Sequence, residues 1–420
     1  MRRAVVGLVV LCVGGSAYAE DDYDLRVGIL QLQTVDNVSD RRISFSEART
    51  TFDGATELGP TQLGLHVDAR ARRGWNEVTA DRLDVQRLYA RYGTDETPFV
   101  VDVGRVVVRP VASTLVDGAR VGGRIVEGLD WTVFGGARPH PFTLAFDPSF
   151  LGGGAGYAHR LDGIRHEGGV SAQFYEGDVD RVFITENVYA ALGQQWYVFG
   201  NAIVDLADGF DLTHGTLGAR YRPNATLNTT VSVVHVHAIV PNRWFADWVA
   251  QERNRLGFTI DDSLLPVGTR RTSGRLRANL TIVPGLTPYA SGRYDHRHED
   301  SASGYEGRVG VKLAHVTLGY LDAGGALRDY FGAKTQLASL QLGTSFLDGL
   351  LNLDGGGAAM RTTAVQARWL FDLNGTVWLD AGAIDETLAG LQLMGLYQAF
   401  VDPEMTLHAM FLRVAYRLRG

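Results

Sequence analysis

The sequence predicts an all-β fold, a single antiparallel transmembrane β-barrel of about 20 strands, with roughly 18 to 22 open, short periplasmic turns and longer extracellular loops. Three observations predict it. Segments of about ten to twelve residues, the length a tilted membrane-crossing strand needs, alternate apolar and polar side chains along most of the chain. Beyond the opening residues no apolar run approaches the roughly 20 residues of a membrane-crossing helix. A secretory leader opens the chain. Lipid admits only helices and closed barrels, because a backbone polar group there has no water to bond.

The leader is read first. Arg2 and Arg3 form a positive head, Ala4 to Val13 an apolar stretch, and Ser16-Ala17-Tyr18-Ala19 a small-x-small cleavage signal. Cleavage is expected after Ala19, which makes residues 1–19 a signal peptide. Cys12, the only cysteine, falls inside it behind Leu11, a residue too large for a good lipoprotein site. The processed chain then has no thiol, which excludes disulfides and cysteine catalysis.

Composition narrows the class. The chain has 420 residues, 45% hydrophobic and 21% charged, and its net charge of −7 points away from a nucleic-acid partner. Residues 20–59 are read as a periplasmic extension or as first strands (Leu25 to Thr34 and Ile43 to Phe52), and 60–420 as the barrel. Leu63, Leu65, Val67, Ala69 and Ala71 alternate with Gly64, His66, Asp68, Arg70 and Arg72. Leu276, Ala278 and Leu280 alternate with Arg275, Arg277 and Asn279, Val309 and Val311 with Arg308 and Lys312, and Leu412, Val414 and Tyr416 with Arg413 and Arg417. Successive strand side chains point to opposite faces, so each segment has one greasy and one polar face. In a membrane barrel the greasy face meets lipid and the polar face lines water. Arginines at alternate positions suit a wet lumen far better than a dry core. Trp75, Tyr92, Trp131, Trp196, Tyr221, Tyr289 and Tyr416 stand near strand ends, as interfacial girdles require.

Connections follow. Tight turns are read at Glu127 to Asp130, Arg222 to Ala225, Pro284 to Thr287, Asp372 to Gly375 and Val401 to Glu404. Long loops are read at Pro139 to Gly152, Pro241 to Thr272 and Ala323 to Thr335. About 21 segments can be counted from Leu63 onward, yet a barrel with both termini in the periplasm needs an even number. The glycine-broken stretch Leu350 to Gly357 is the segment least like a strand.

Two patches carry a family resemblance. Asp102-Val103-Gly104-Arg105 closes one strand and Asp117-Gly118 opens the next; later Leu318-Gly319-Tyr320-Leu321-Asp322-Ala323-Gly324-Gly325 runs into Asp329-Tyr330-Phe331. These resemble the strand–Gly-Arg–loop–Asp-Gly pattern and the glycine-tyrosine strand of alginate-export-type and related porin-like barrels. The resemblance implies a pore. Arg105 and Asp117 read equally as pore-lining residues and as a salt bridge holding a hairpin.

Function is sought in the lumen. Alternation turns Arg70, Arg72, Arg120, Arg124, Arg275, Arg277, Arg308, Arg368, Arg413 and Arg417 inward, with Arg105 added from the motif. Such arginines can select anions; the bland reading pairs them with Asp68, Asp84, Asp102 and Glu306. The loop from Pro241 is the expected constriction. Trp244, Phe245, Trp248 and Val249 fall on one face of a short helix, Asp247 and Glu252 flank it, and Asp261 and Asp262 can oppose wall arginines. The pairs His235/His237 and His296/His298 each share a face, but neither has a third or fourth ligand fixed by spacing, so no metal and no cofactor are expected. No Gly-x-Ser-x-Gly elbow singles out a hydrolase serine, so no enzyme is expected. The expectation is an outer-membrane channel for passive diffusion of small hydrophilic, anionic or saccharide solutes. Its partners would be outer-membrane lipid, lipopolysaccharide and the barrel-assembly machinery. The alternatives are a structural or adhesive barrel with an occluded lumen and an outer-membrane hydrolase.

Overall fold

A computed structural model describes residues 22–36, 42–58, 61–75, 81–94, 97–140, 144–207, 209–237, 269–315, 319–346, 350–362, 368–381, 390–401 and 406–419. They form 22 strands. The first eleven are β1 (Asp22–Asp36), β2 (Arg42–Leu58), β3 (Thr61–Gly74), β4 (Arg82–Tyr92), β5 (Phe99–Val108), β6 (Thr114–Val126), β7 (Leu129–Ala137), β8 (Phe150–Leu161), β9 (Ile164–Tyr175), β10 (Asp178–Leu192) and β11 (Trp196–Asp205). The rest are β12 (Asp211–Tyr221), β13 (Leu227–His237), β14 (Arg270–Leu280), β15 (Leu286–Arg297), β16 (Ser303–His315), β17 (Gly319–Tyr330), β18 (Ala333–Phe346), β19 (Leu351–Thr362), β20 (Arg368–Asp380), β21 (Leu391–Val401) and β22 (Thr406–Arg419). Each pairs antiparallel with its neighbour, and β1 pairs with β22 from Asp24↔Arg419 to Asp36↔Leu407, so the sheet closes on itself. Closure removes the free edges that an open sheet would present. Across the seam Asp24 accepts from Arg417 Nε at 3.0 Å and pairs with Arg26 at 2.7 Å.

Alternation sorts the two faces. Leu63 and Leu65, Leu276 and Leu280, Val309 and Leu313, and Leu412 and Tyr416 are exposed on the outside. Asp68, Asp84, Asp102 and Asp295 are buried on the inside among arginines. A carboxylate tolerates that position because its neighbours are cations and the lumen face is polar. Trp75, Tyr92, Trp196 and Tyr416 are exposed as girdle residues should be, and Tyr221 packs on Trp196 with ring centres 4.3 Å apart. Tyr289 is a correction: its hydroxyl donates to Asp322 at 2.8 Å and it stands opposite Gly310 on the arginine face of β15. Trp131 shares the outer face of β7 with exposed Val133.

The strand reading needs four further corrections. Leu351–Thr362 is a full strand, and its glycines are useful: a Cβ on Gly356 would lie 2.6 Å from the Leu340 carbonyl. Asp372 to Gly375 is no turn but the middle of β20, paired with both neighbours. Its Asn and Gly are turn formers in sequence, yet two ladders fix the backbone and override that local preference. Ala323 to Thr335 is no long loop, since β17 runs to Tyr330 and β18 starts at Ala333. Twenty strands, not twenty-one, run from Thr61 onward; β1 and β2 bring the total to 22. The stretch 238–269 joins β13 to β14 and 138–149 joins β7 to β8, both at the end away from the termini.

One hairpin leaves the wall. β4 pairs with β5 only from Leu88↔Arg105 to Tyr92↔Val101, and β6 meets β7 only as far as Asp117↔Ala137. Residues 106–116 therefore belong to neither neighbour. Departure falls on a row of glycines, Gly104↔Gly118↔Gly136↔Gly152. Gly104 has φ +126°, and a Cβ there would lie 2.3 Å from the Leu88 carbonyl, so only glycine fits the bend.

Candidate functional site in the barrel lumen

The detached tip of the β5–β6 hairpin lies inside the barrel. Val106, Val108, Val111 and Val116 are buried with Tyr89 of β4, Phe134 of β7 and Phe183 of β10, and Ile203 of β11 packs against them. Val133 and Ile184, the neighbours of Phe134 and Phe183, are exposed on the outside, so the cluster occupies the inner faces. Val111 sits at the tip on a bare patch made by the cross-strand pair Gly156↔Gly169. A Cβ on Gly156 would stand 2.9 Å from Val111 Cγ2, and one on Gly169 2.8 Å. With Val111 in place, a side chain at Gly156 would press on the tip, and one at Gly169 would also meet the Ala155 carbonyl at 2.3 Å.

Arg105 closes the place where the hairpin departs. Its Nη1 donates to the Val85 carbonyl at 2.6 Å and to the Leu144 carbonyl at 2.7 Å, which links β4 to the β7–β8 connection. Its Nε and Nη2 donate to the two oxygens of Asp117 at 2.5 and 2.6 Å. One planar guanidinium thus satisfies carbonyls on two segments and a carboxylate on a third, which a lysine cannot do. Of the two roles the sequence leaves open for Arg105, the structure has the salt bridge that holds the hairpin, because this is where strand pairing ends and carbonyls need donors.

Beside the hairpin lies a cavity of about 810 Å³. Seven arginines line it (Arg87, Arg91, Arg109, Arg120, Arg124, Arg160 and Arg165) against five carboxylates (Asp53, Asp68, Asp102, Asp130 and Glu167), with His66, Tyr89 and Tyr157. The local balance is therefore positive although the whole chain is acidic. Asp102, fully buried, is held between Arg91 Nε at 2.8 Å and Arg120 Nη2 at 2.6 Å. Asp68 lies between Arg49 at 3.0 Å and Arg87 at 3.7 Å. Arg109 at the hairpin tip and Arg160 of β8 have no ion pair among the described residues.

Of the arginines expected from sequence, Arg120 and Arg124 line this cavity. Arg124 stands 3.6 Å from Asp130. Arg70 pairs with Asp84 at 2.9 Å, Arg72 with Glu47 at 2.9 Å and Arg417 with Asp24. Arg277 donates to Asn279 Oδ1 at 3.2 Å, and with Arg308 it lies over the Tyr289 ring, 5.5 and 5.7 Å from its centre. Arg275 and Arg413 have no ion pair among the described residues. Arg368 lies on β20, and its side chain is outside the described ones, as are Trp244, Asp247, Trp248, Glu252, Asp261 and Asp262 of the expected constriction and the expected leader.

Sequence reading missed the hairpin and Arg87, Arg91, Arg109, Arg160 and Arg165. Two signals were available. Val106-Val107-Val108 breaks the alternation, as a strand covered on both faces does. Arg87-x-Tyr89-x-Arg91 keeps it, but Gln86 is an extra residue in β4 that shifts the face.

No family model matches the sequence, and no curated protein matches it, so the alginate-export-type kinship has no support beyond the two patches. Solved structures resemble it in fold. OpdQ of Pseudomonas aeruginosa is 9% identical with a TM-score of 0.49 and matches over 96% of this chain and 100% of its own. OccAB4 of Acinetobacter baumannii is 11% identical, TM-score 0.47, over 97% and 100%. OpdL of Pseudomonas aeruginosa is 13% identical, TM-score 0.47, over 95% and 99%. At these identities and TM-scores the match says nothing about what this chain carries.

Proposed function

We propose that the chain is an outer-membrane channel for passive diffusion of small hydrophilic solutes, with anions favoured at the inward hairpin. One observation carries the reading. An inward-folded hairpin narrows a polar lumen beside a cavity in which arginines outnumber carboxylates seven to five. A pore must bind its solute well enough to admit it and weakly enough to release it. Arginines already paired with Asp102 and Asp68 offer only part of their charge, while Arg109 and Arg160 offer all of it. The exposed apolar outer face supports a lipid environment, and the secretory leader expected at residues 1–19 supports export. Planar bilayers test the proposal: the purified chain should give stepwise currents, and a salt gradient should shift the reversal potential toward the anion value. Absence of current at every voltage would overturn the channel and leave an occluded structural barrel. Cation preference would overturn the anion assignment alone.

A further inference from the structure

We propose that His235, His296 and His298 form a binding site for a divalent transition metal on the outer face of the barrel, at the end away from the termini. Each pair in sequence lacks further ligands; the fold brings the pairs together. His235 and His237 end β13, His296 lies at the end of β15 with His298 just beyond it, and β14 lies between, in the row His235↔Thr272↔His296. Val231, Val233 and Leu276 share the face of these histidines and are exposed, which places the cluster outside the lumen.

Geometry supports a shared ion. His235 Nδ1 and His298 Nε2 each lie 2.9 Å from Thr272 Oγ1. One hydroxyl has one proton, so at least one of these nitrogens donates to it, and at most one lone pair is engaged. Ring centres of His296 and His298 are 4.9 Å apart, and those of His235 and His298 5.8 Å. With a metal–nitrogen bond of roughly 2.0–2.1 Å, two imidazoles on one tetrahedral ion have centres about 5.2 Å apart. The rings already stand at about that separation. In the rotamers of this structure no group of three or more His, Cys, Asp or Glu among the described residues is arranged to hold a metal ion. Seating an ion requires the rings to turn about Cβ–Cγ, giving up the two bonds to Thr272 and the 3.3 Å contact of His296 with Ser303. His237 is held by Asp211, which leaves the fourth position to water. Nitrogen donors select zinc, copper or nickel over magnesium or calcium.

The test uses the full chain purified in detergent without a polyhistidine tag. Equilibrium dialysis against cobalt(II) or zinc should give one ion per chain, with the visible bands of tetrahedral cobalt. The double variant His296→Gln/His298→Gln should weaken binding by about tenfold or more, since even outer-shell changes have that effect. His235→Gln and His298→Gln singly should act in the same direction, and they decide the matter if the double variant does not fold. His159→Gln/His166→Gln, at the opposite end of the barrel where the two rings bond each other at 2.9 Å, should change nothing. A wild-type chain without stoichiometric metal, or variants that keep it, would overturn the site. The channel reading stands or falls separately.

Discussion

Replacing Val111 with aspartate should open the lumen. Val106, Val108, Val111 and Val116 are essentially fully buried by the docked hairpin. Full burial of a valine is worth about 1.5 kcal/mol, so the four together give about 6 kcal/mol, an upper value because the undocked tip hides some surface of its own. Val111→Asp removes about 1.5 kcal/mol of this. A carboxyl buried among apolar groups has its pKa raised by up to about 3–5 units, so it stays docked at pH 7 only by taking up a proton, which costs a further roughly 4 kcal/mol. The sum, about 5.5 kcal/mol, nearly cancels the upper value of the docking energy, so the tip should spend much of its time swung out about its glycine row. Single-channel recording at pH 7 should show larger and noisier currents than the wild type. Protonation of the aspartate removes most of the penalty, so acidification toward pH 4 should bring the variant back toward wild-type conductance. Val111→Ala should lose only about 1 kcal/mol and stay docked. Equal conductance of Val111→Asp and wild type at pH 7, in barrels that keep their β circular dichroism, would refute the reasoning.

Arg105→Ala should lower stability to urea by about 3–5 kcal/mol, because it leaves Asp117 unpaired and two carbonyls without donors; Arg105→Lys should recover only part, and equal stability of all three would contradict the assignment. Asp102→Asn should shift the reversal potential further toward anions by releasing Arg91 and Arg120, and an unchanged potential would show that this pair does not face the permeation path. In the β15–β16 connection, hydrogen bonds from Arg297 and from the Ala302 N–H lower Asp300 from 3.8 to about 2. A lowered carboxylate stabilises the fold above its unfolded value and loses that contribution as pH falls through its folded value. Protection of the Ala302 amide from exchange should therefore persist to about pH 2, and loss near pH 4 would contradict the pairing.

The wall was legible in the sequence and its interior only in part. Alternation at Leu63 to Arg72 and at Arg275 to Ile282 identifies strands because one face meets lipid and the other water. Asp372 to Gly375 deceived for the same reason: lumen-facing positions are wet, so turn-forming residues persist inside a strand held by two ladders. The Gly-Arg and Asp-Gly patches were visible as a motif, but not their purpose, which depends on where β4 and β7 stop pairing. The packing of Val111 on Gly156 and Gly169 joins residues more than forty positions apart, and no local pattern encodes it. The histidine pairs were legible singly; only the register of β13, β14 and β15 brings them together.

The position of the hairpin inside the lumen is tested most directly by a cross-link. Cys12 is the only cysteine of the sequence and falls in the expected leader, so the background is free of thiols. In Val111→Cys/Gly156→Cys, a sulfur at the Val111 Cγ2 position would lie 2.9 Å from the new Cβ at 156. A disulfide with its S–S bond of about 2.05 Å places those atoms about 3.0 Å apart. Oxidation in membranes should close the bond nearly completely, leave the current at the wild-type level and abolish its noise. A pair of cysteines that both react with a soluble thiol reagent but never with each other would contradict the inward hairpin.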